Sequence, residues 1–200
     1  MEQDMSSILK INAREEKKMR LMFVSDIHGS SDAMEKVKKI YEEKKPDRLI
    51  LLGDLLYHGP RNELPKEYDT KKVAAILNEM KDKILCVRGN CDAEVDQMVL
   101  QFPIMADYAT MWVENTMLFL THGHLYNKEN MPNLAKGDIL IHGHTHVQTV
   151  EKIGDNIYLN PGSVSLPKEG NPPSYMLYED GTFSILTLED KLLGTYTIAR

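Results

Sequence analysis

Cysteine is scarce in this chain of 200 residues. The two cysteines, Cys86 and Cys91, are too few for a disulfide framework, which indicates a reducing compartment. No apolar run approaches the roughly 20 residues that span a bilayer. The N-terminus also lacks the apolar core of a signal peptide. We therefore expect a cytoplasmic protein that does not act in a membrane.

Long basic tracts are missing as well. The formal net charge is −6, and no run of basic residues exceeds a pair. Extended nucleic-acid binding needs many Lys and Arg contacts to phosphates and is therefore disfavoured. A small substrate that carries a phosphate ester remains compatible with the charge, because bound divalent cations reverse it locally. The sequence leaves the oligomeric state open, a homo-oligomer included.

The chain divides into a polar N-terminal extension, 1–18, and one domain, 19–200, that begins with the strand at Arg20. Up to about residue 100 strands and helices alternate, and after residue 105 the pattern is mostly strands. This order predicts an α/β fold of two packed β-sheets with helices outside. The predicted helices cover 32–44, opened by Asp32, 70–81, opened by Asp69 or Thr70, 94–100 and a short turn near 130–135.

Five apolar strands end in the same way, with a glycine beside Asp, Asn or His. Strand ends of α/β sheets meet at one edge, where such folds place their ligand sites. All seven histidines of the chain lie in or near these segments, whereas surface histidines would be scattered. The five segments are Asp26-Ile27-His28-Gly29, Gly53-Asp54, Gly89-Asn90-Cys91-Asp92, His122-Gly123-His124 and His142-Gly143-His144-Thr145-His146.

These side chains offer carboxylate, carboxamide and imidazole donors, with almost no thiol. Such a mixed set suits Mn²⁺, Fe, Zn²⁺ or Co²⁺, whereas a structural Zn²⁺ site would favour cysteine. About eight candidate ligands exceed the needs of one ion and match those of two, and a pair of ions clamps a phosphoryl group. Each motif alone is also compatible with an ordinary turn. Their joint occurrence at strand ends, in this order, favours a metal centre.

The motifs resemble those of the calcineurin-like metallophosphoesterases, namely D-x-H, GD, GN-(H/C)-(D/E), H and GHxH. Within that superfamily the chain is most similar to the small bacterial phosphodiesterases of the YfcE type. The shared stretches are SDIHGS, GPRN, RGNCD, EVDQM, THGHL and NPGSVS. The resemblance begins at Met19 and runs to the C-terminus.

The resemblance implies a sandwich of two mixed β-sheets flanked by helices, with two divalent ions per chain. We expect Mn²⁺ first, with Zn²⁺, Fe and Co²⁺ as alternatives. Asp54 is expected to bridge the two ions. The resemblance assigns Asp26, His28, Asp54 and His146 to one ion, and Asp54, Asn90, His122 and His144 to the other.

Three further residues are candidates for catalysis. His58 lies in the loop after Asp54, where it is expected to reach over the metals, and His124 is close to the ligand His122. Many superfamily members carry a histidine that assists the leaving group where this chain has Cys91. A thiol, with a reference pKa of about 8.5, is a poorer acid than imidazole near neutral pH. Cys91 therefore favours diesters or activated esters over monoesters with poor leaving groups.

Other residues of these segments are predicted to support the ligands. Asp92 is expected to hold the Asn90 loop, and the turn that begins at Asn160 is expected to buttress the site. Arg61 is balanced between a phosphate contact and a solvated loop cation. His142 precedes the GHxH motif and is expected to be buried behind the ligands.

The sequence thus predicts a phosphodiesterase in which a hydroxide that bridges two metal ions attacks phosphorus. The alternatives are a phosphomonoesterase or protein phosphatase, and a non-catalytic scaffold of the kind found in the retromer membrane coat. In that scaffold the metal sites are degraded, whereas every expected ligand is present here.

Overall fold

The computed structural model describes residues 19–198, which fold into two β-sheets packed face to face. The predicted extension at 1–18 lies outside the described residues. The strands are β1 Arg20–Val24, β2 Arg48–Leu51, β3 Ile84–Cys86, β4 Tyr108–Val113, β5 Thr116–Thr121, β6 Ile139–Ile141, β7 Gln148–Ile153, β8 Asn156–Pro161, β9 Ser174–Glu179, β10 Thr182–Thr187 and β11 Leu192–Thr197. The α-helices are α1 Ser31–Lys44, α2 Thr70–Glu79 and α3 Glu94–Gln97.

Both sheets are mixed, as the resemblance implied. The first has the strand order β11-β10-β9-β1-β2-β3, in which β1, β2 and β3 are parallel and β9 runs antiparallel to β1. The second has the order β4-β5-β6-β8-β7, with β5, β6 and β8 parallel. Helix α1 lies between β1 and β2 in the chain, and α2 lies between β2 and β3, as parallel pairing requires.

Successive side chains of β1 point to opposite faces of the first sheet, and each face packs against a different layer of the fold. Leu21 and Phe23 are buried between the two sheets, whereas Met22 and Val24 point to the other face and pack against the helices. The apolar stripe of α1, which includes Met34 and Val37, covers that outer face. The predicted sandwich flanked by helices is therefore confirmed.

The outer face of the second sheet is covered differently. Phe119, Leu140 and Tyr158 form a small cluster there, against which Tyr126 and Met131 of the connection between β5 and β6 pack. The sequence predicted a short helix near 130–135, and that prediction is wrong, because this stretch has no helical residues. Pro132 and the polar residues near it favour an irregular segment, and this segment covers the cluster.

The helix ends follow from capping side chains. Ser30, rather than Asp32, caps α1, since its hydroxyl accepts the N–H of Ala33 at 3.3 Å. Asp69 caps α2 as predicted, by accepting the N–H of Lys72 at 3.0 Å. Helix α3 has only four residues, fewer than the predicted seven. Within residues 19–198, no helix has the length and apolar character needed to cross a bilayer.

Candidate metal centre

The predicted ligands converge where the strands of both sheets end. Asp26, His28, Asp54, His122 and His146 are buried, His144 is half-buried and Asn90 is exposed. Several of their donor atoms lie within 4.8 Å of one another. The groups that meet this limit are Asp26, His28 and His146; Asp26, Asp54 and His122; and His28, Asp54 and Cys91.

The tautomers of His28 and His146 leave lone pairs that face each other. Nδ1 of His28 lies 2.8 Å from the carbonyl oxygen of Tyr57, and Nδ1 of His146 lies 2.5 Å from that of Leu166, so each Nδ1–H donates to a carbonyl. The two Nε2 atoms are only 3.2 Å apart. Oδ1 of Asp26, which accepts no hydrogen bond from the described residues, lies 3.2 Å from Nε2 of His146. Three acceptors this close need a cation or a proton between them.

His122 stands at the centre of a second set of the same kind. Its Nδ1 lies 2.7 Å from the carbonyl oxygen of Leu52, which leaves the Nε2 lone pair facing other acceptors. Nε2 of His122 lies 3.1 Å from Oδ1 of Asn90, 3.2 Å from Nδ1 of His144 and 3.4 Å from Oδ2 of Asp54. Nε2 of His28 is 3.6 Å from the same Asp54 oxygen, so this carboxylate lies between the two sets.

The pKa values of the ligand side chains also indicate a site that stabilises positive charge. Burial alone would raise the pKa of Asp26, yet the neighbouring imidazoles of His146 and His28 hold it well below its usual value. Burial would lower the pKa of His122, but the carboxylates of Asp54 and Asp26 raise it to about 9. Burial, followed by the charge on His122, lowers the pKa of His144 to about 4 and keeps its imidazole neutral. The donor set therefore fits divalent cations, which bind neutral imidazole and ionised carboxylate.

Backbone strain concentrates at the same residues. Asp26, His28, Asp54, His144 and His146 all have a positive φ, between 50° and 65°. Residues other than glycine adopt this left-handed conformation rarely, at a cost of about 1 kcal/mol or more each. The assembled loops thus hold five of the predicted ligands in this conformation. Asp and His are among the residues enriched in this conformation, but neither specifies it, so sequence reasoning did not predict it.

Two glycines of the motifs allow the loops to approach closely. A Cβ atom at Gly143 would lie 1.7 Å from Oγ of Ser25 and 2.6 Å from Oδ2 of Asp26. A Cβ atom at Gly89 would lie 2.0 Å from Oδ1 of Asp54. Glycine is required at both positions because backbone must pass directly beside a ligand carboxylate.

Asp92 ties two of the ligand loops together. Its Oδ2 accepts the N–H of Asp54 at 2.9 Å and that of Gly89 at 2.7 Å, while Oδ1 accepts the N–H of Leu55 at 2.8 Å. The carboxylate is buried, and burial raises its pKa although these three N–H groups favour the ionised form. The predicted support of the Asn90 loop is therefore present in the structure, and it extends to Asp54.

The turn that begins at Asn160 holds the remaining loops. The Asn160 carboxamide donates to the carbonyl oxygen of Gly143 at 2.8 Å, and the Ser163 hydroxyl donates to that of Asp26 at 2.8 Å. His142 is buried behind the ligands, as predicted, with its Nδ1 2.7 Å from the carbonyl oxygen of Gly143. These contacts position ligands without offering atoms to an ion.

A polar cleft of about 300 Å³ opens beside the ligands. Arg61, Asn62 and Lys168 contribute to its walls, together with Cys91. Arg61 thus lines the cleft, while its contact with a phosphate remains a prediction, and Lys168 is a second cation of the cleft that sequence reasoning missed. No motif marks Lys168, whose N–H bonds the carbonyl oxygen of the ligand His146 at 3.2 Å.

The three predicted catalytic residues take different places. Cys91 lines the cleft, and its N–H donates to Oδ1 of Asp54 at 2.8 Å. The His124 ring lies 5.5 Å from that of His122, and His124 lines, together with His144, a separate cavity of about 260 Å³. The His58 ring packs edge-on against Tyr57 and Tyr68. Contacts between substrate and either histidine remain predictions.

Comparison with known proteins identifies the family. Residues 19–181 match the calcineurin-like phosphoesterase superfamily domain. Phosphodiesterase YfcE of Escherichia coli (strain K12) is 50% identical over 173 residues, which cover 86% of this chain and 94% of that protein. The chain belongs to the calcineurin-like phosphoesterase superfamily. The superfamily was predicted from the five motifs, and the YfcE resemblance from the stretches shared beyond them. Membership of the superfamily, together with 50% identity to YfcE, makes the chain a phosphoric ester hydrolase with divalent metal sites.

Solved structures of the superfamily support the fold. The structure of YfcE, a phosphoesterase from E. coli, superposes with a TM-score of 0.89 at 47% identity and covers 90% of this chain and all of that chain. Vacuolar Protein Sorting 29 from Cryptosporidium parvum has a TM-score of 0.61 at 16% identity, over 90% of this chain and 98% of its own. The second likeness shows a shared fold alone.

Proposed function

We propose that the chain is a two-metal phosphodiesterase that hydrolyses small phosphate diesters. The observation that carries the proposal is the pair of acceptor clusters at His28–His146 and at His122, joined by the Asp54 carboxylate. Two clusters that share one carboxylate suit two ions, and the resemblance to YfcE, a named phosphodiesterase, favours diesters. When bound, paired divalent ions neutralise the phosphoryl oxygens and lower the pKa of water.

The proposed ligands follow the two clusters. Asp26, His28 and His146 would hold one ion, and Asn90, His122 and His144 the other, with Asp54 shared. We propose Mn²⁺ as the resident ion, because carboxylate, carboxamide and imidazole donors suit it, with Zn²⁺, Fe and Co²⁺ as alternatives. The backbone carbonyls that accept from each Nδ1 would orient the rings and fix the tautomers.

The remaining walls of the cleft would bind the ester. Arg61 and Lys168 carry positive charge where the non-bridging phosphate oxygens would lie, and Asn62 is held near them by a 2.8 Å hydrogen bond from Nδ2 to the carbonyl oxygen of His58. His124 would stabilise charge that develops beside His144. Each contribution is electrostatic and needs no covalent intermediate with the protein.

Cys91 supports the preference for diesters. Burial, with the nearby Asp54 carboxylate as the second cause, raises the pKa of Cys91 to about 12. A thiol, with a reference pKa of about 8.5, is a poorer proton donor to a leaving group near neutral pH than an imidazole. A substrate whose leaving group needs no proton, such as an aryl diester, is the better match.

The direct test compares 4-nitrophenyl esters with the chain loaded with Mn²⁺. Bis(4-nitrophenyl) phosphate should be hydrolysed with a higher kcat/KM than 4-nitrophenyl phosphate, a chelator should abolish the activity, and added Mn²⁺ should restore it. Preference for the monoester would favour the phosphatase alternative, and no hydrolysis of either ester would favour the scaffold.

A charge-matched pair of variants tests the cleft. Lys168→Met should raise KM for the diester at least about tenfold, since a hydrogen bond to a charged group contributes about 1.5–3 kcal/mol. Lys136, which lies on the surface beside Asp155, is the control, and Lys136→Met should leave KM unchanged. Equal KM values in both variants would remove Lys168 from the proposed binding site.

A further inference from the structure

An apolar groove adjoins the metal cleft and has no part in the function proposed so far. It has a volume of about 530 Å³, within the range of small-molecule sites. Its walls include Leu56, Tyr57, Tyr68, Val95 and Val99. Several of these apolar side chains are unusually exposed, Val95 at 64% and Val99 at 52%. Exposed apolar residues gathered in one concave surface commonly mark a binding site.

The groove and the cleft share a wall. Cys91 lines both, so this residue lies between the cavity that contains Arg61 and Lys168 and the apolar one. The groove is also tied to the ligand loops along the chain, because Leu56 and Tyr57 follow Asp54 closely and Ala93 follows Cys91. A molecule held by its phosphate in the cleft has the groove as the adjacent apolar surface.

One aromatic wall of the groove is fixed against a ligand loop. A Cβ atom at Gly29 would lie 2.5 Å from Cε2 of Tyr68, so the ring packs directly on the backbone next to His28. Tyr68 also forms an isolated β-bridge with Ser30. A ring that is held in place loses little entropy when a second ring stacks on it.

One organic group of a phosphate diester is a suitable ligand for the groove. A phosphate diester carries two organic groups, and the walls of the cleft are polar and cationic around the phosphate. We propose that the groove binds a planar aromatic ring in one ester arm of the substrate, by contact with Tyr68, Val95 and Val99. This assignment rests on the proposed function, and it names aromatic diesters as the preferred substrate class.

Competitive inhibition by two phosphonates tests the assignment on the chain loaded with Mn²⁺. Phenylphosphonate and methylphosphonate have the same head group and a P–C bond in place of the ester, and they differ in the ring. With bis(4-nitrophenyl) phosphate as the assay substrate, the ratio of the methylphosphonate Ki to the phenylphosphonate Ki should be about 10 or more, since a buried CH₂ alone contributes about a factor of four.

Substitutions on one short segment locate the ring. Val95→Ser and Val99→Ser should each lower the Ki ratio about fourfold, because each removes apolar surface from the groove. Met98→Ser is the matched control, since Met98 is 84% exposed on the same segment and does not line the groove, and its ratio should equal that of the wild type. All three sites are exposed, so the variants should fold.

The outcomes separate the two proposals. Diester hydrolysis with a Ki ratio near one in the wild type, or with equal ratios in all three variants, would overturn the groove assignment and leave the proposed function standing. A change in sedimentation coefficient in Val95→Ser and Val99→Ser, at an unchanged Ki ratio, would overturn it in favour of an interface between copies of the chain. Absence of diester hydrolysis in the wild type would overturn the proposed function and, with it, the groove assignment.

Discussion

The carboxylate of Asp92 provides a test of how the two ligand loops are held. The substitution Asp92→Asn keeps the size of the side chain and replaces one oxygen by an NH₂ group. With the amide oxygen in the place of Oδ2, the bonds from the N–H groups of Asp54 and Gly89 remain, and the NH₂ group faces the N–H of Leu55. The opposite orientation loses two bonds and is less favourable.

The size of the effect follows from these bonds. Hydrogen bonds to a charged group contribute about 1.5–3 kcal/mol, against about 0.5–1.5 kcal/mol for neutral pairs. Losing one bond and weakening two therefore costs about 3.5–6 kcal/mol. Asp92 is buried, so removing its charge also removes a desolvation cost, which offsets a large part of this loss. We expect a net loss of about 2 kcal/mol in the free energy of unfolding. Metal affinity should also fall about 10-fold to 100-fold, as is usual when a group that orients ligands is changed.

Asp138 supplies the control, because it is a buried carboxylate that also accepts two backbone N–H groups. It bonds Met117 at 3.2 Å and Ala135 at 2.9 Å, at the end of β6 opposite to the ligands. Urea unfolding should show a loss of about 2 kcal/mol for Asp138→Asn too, whereas calorimetric titration with Mn²⁺ should show wild-type affinity. Equal metal affinities in Asp92→Asn and Asp138→Asn would refute the positioning role of Asp92.

Three further predictions concern leaving-group chemistry, the N-terminus and acid stability. Cys91→His should raise the ratio of monoester to diester kcat/KM by up to about 100-fold, because imidazole can donate a proton near neutral pH; a wild-type chain that already prefers alkyl monoesters would contradict this. A chain that starts at Met19 should keep its kcat and metal content, since every proposed ligand follows that residue, and loss of metal binding would show that the domain boundary is wrong. Tyr175→Phe should lower the free energy of unfolding by about 1 kcal/mol at pH 7, because the variant lacks the buried hydroxyl and its 2.5 Å hydrogen bond to Asp190. Burial would raise the pKa of Asp190, but its bonds to Lys44 and Tyr175 lower it below the usual Asp value of 3.8. The stabilisation by this pair is therefore fully present above pH 3.8 and is lost as the pH falls through the lowered pKa. Urea unfolding at pH 7 and at pH 3 measures it, and an effect of Tyr175→Phe that grows on acidification would be inconsistent with the pairing.

Sequence reasoning reached the fold and the set of candidate ligands for a physical reason. The strands are apolar runs that end in glycine with Asp, Asn or His, and parallel strands bring such ends to one edge. The apolar strand β1 and the capping residue Asp69 are likewise local features, which can be recognised in a sequence. The same reasoning named Asp92 and Asn160 as supports, because Asp92 lies within one of the recurrent motifs and Asn160 begins a turn that ends a strand.

What sequence reasoning missed depends on contacts between distant segments. Lys168 lines the cleft and bonds the His146 carbonyl, 22 residues away in the chain, and the apolar groove joins residues that follow Asp54 to those that follow Cys91. The assembled loops impose the left-handed backbone conformation of the ligand residues, and the residue types in these loops do not specify it. The connection that covers Phe119 is irregular, although its pattern predicted a helix near 130–135, because tertiary packing overrides a weak local preference.

The most direct test of the account counts metal ions in the wild type and in Asp54→Asn. After metal exchange with Mn²⁺, elemental mass spectrometry of the wild type should find two ions per chain in protein that hydrolyses bis(4-nitrophenyl) phosphate. Because the Asp54 carboxylate lies between both clusters, Asp54→Asn should lose both ions and the activity, whereas His28→Ala should mainly weaken one site. Two fully occupied sites and unchanged activity in Asp54→Asn would contradict the shared-carboxylate centre.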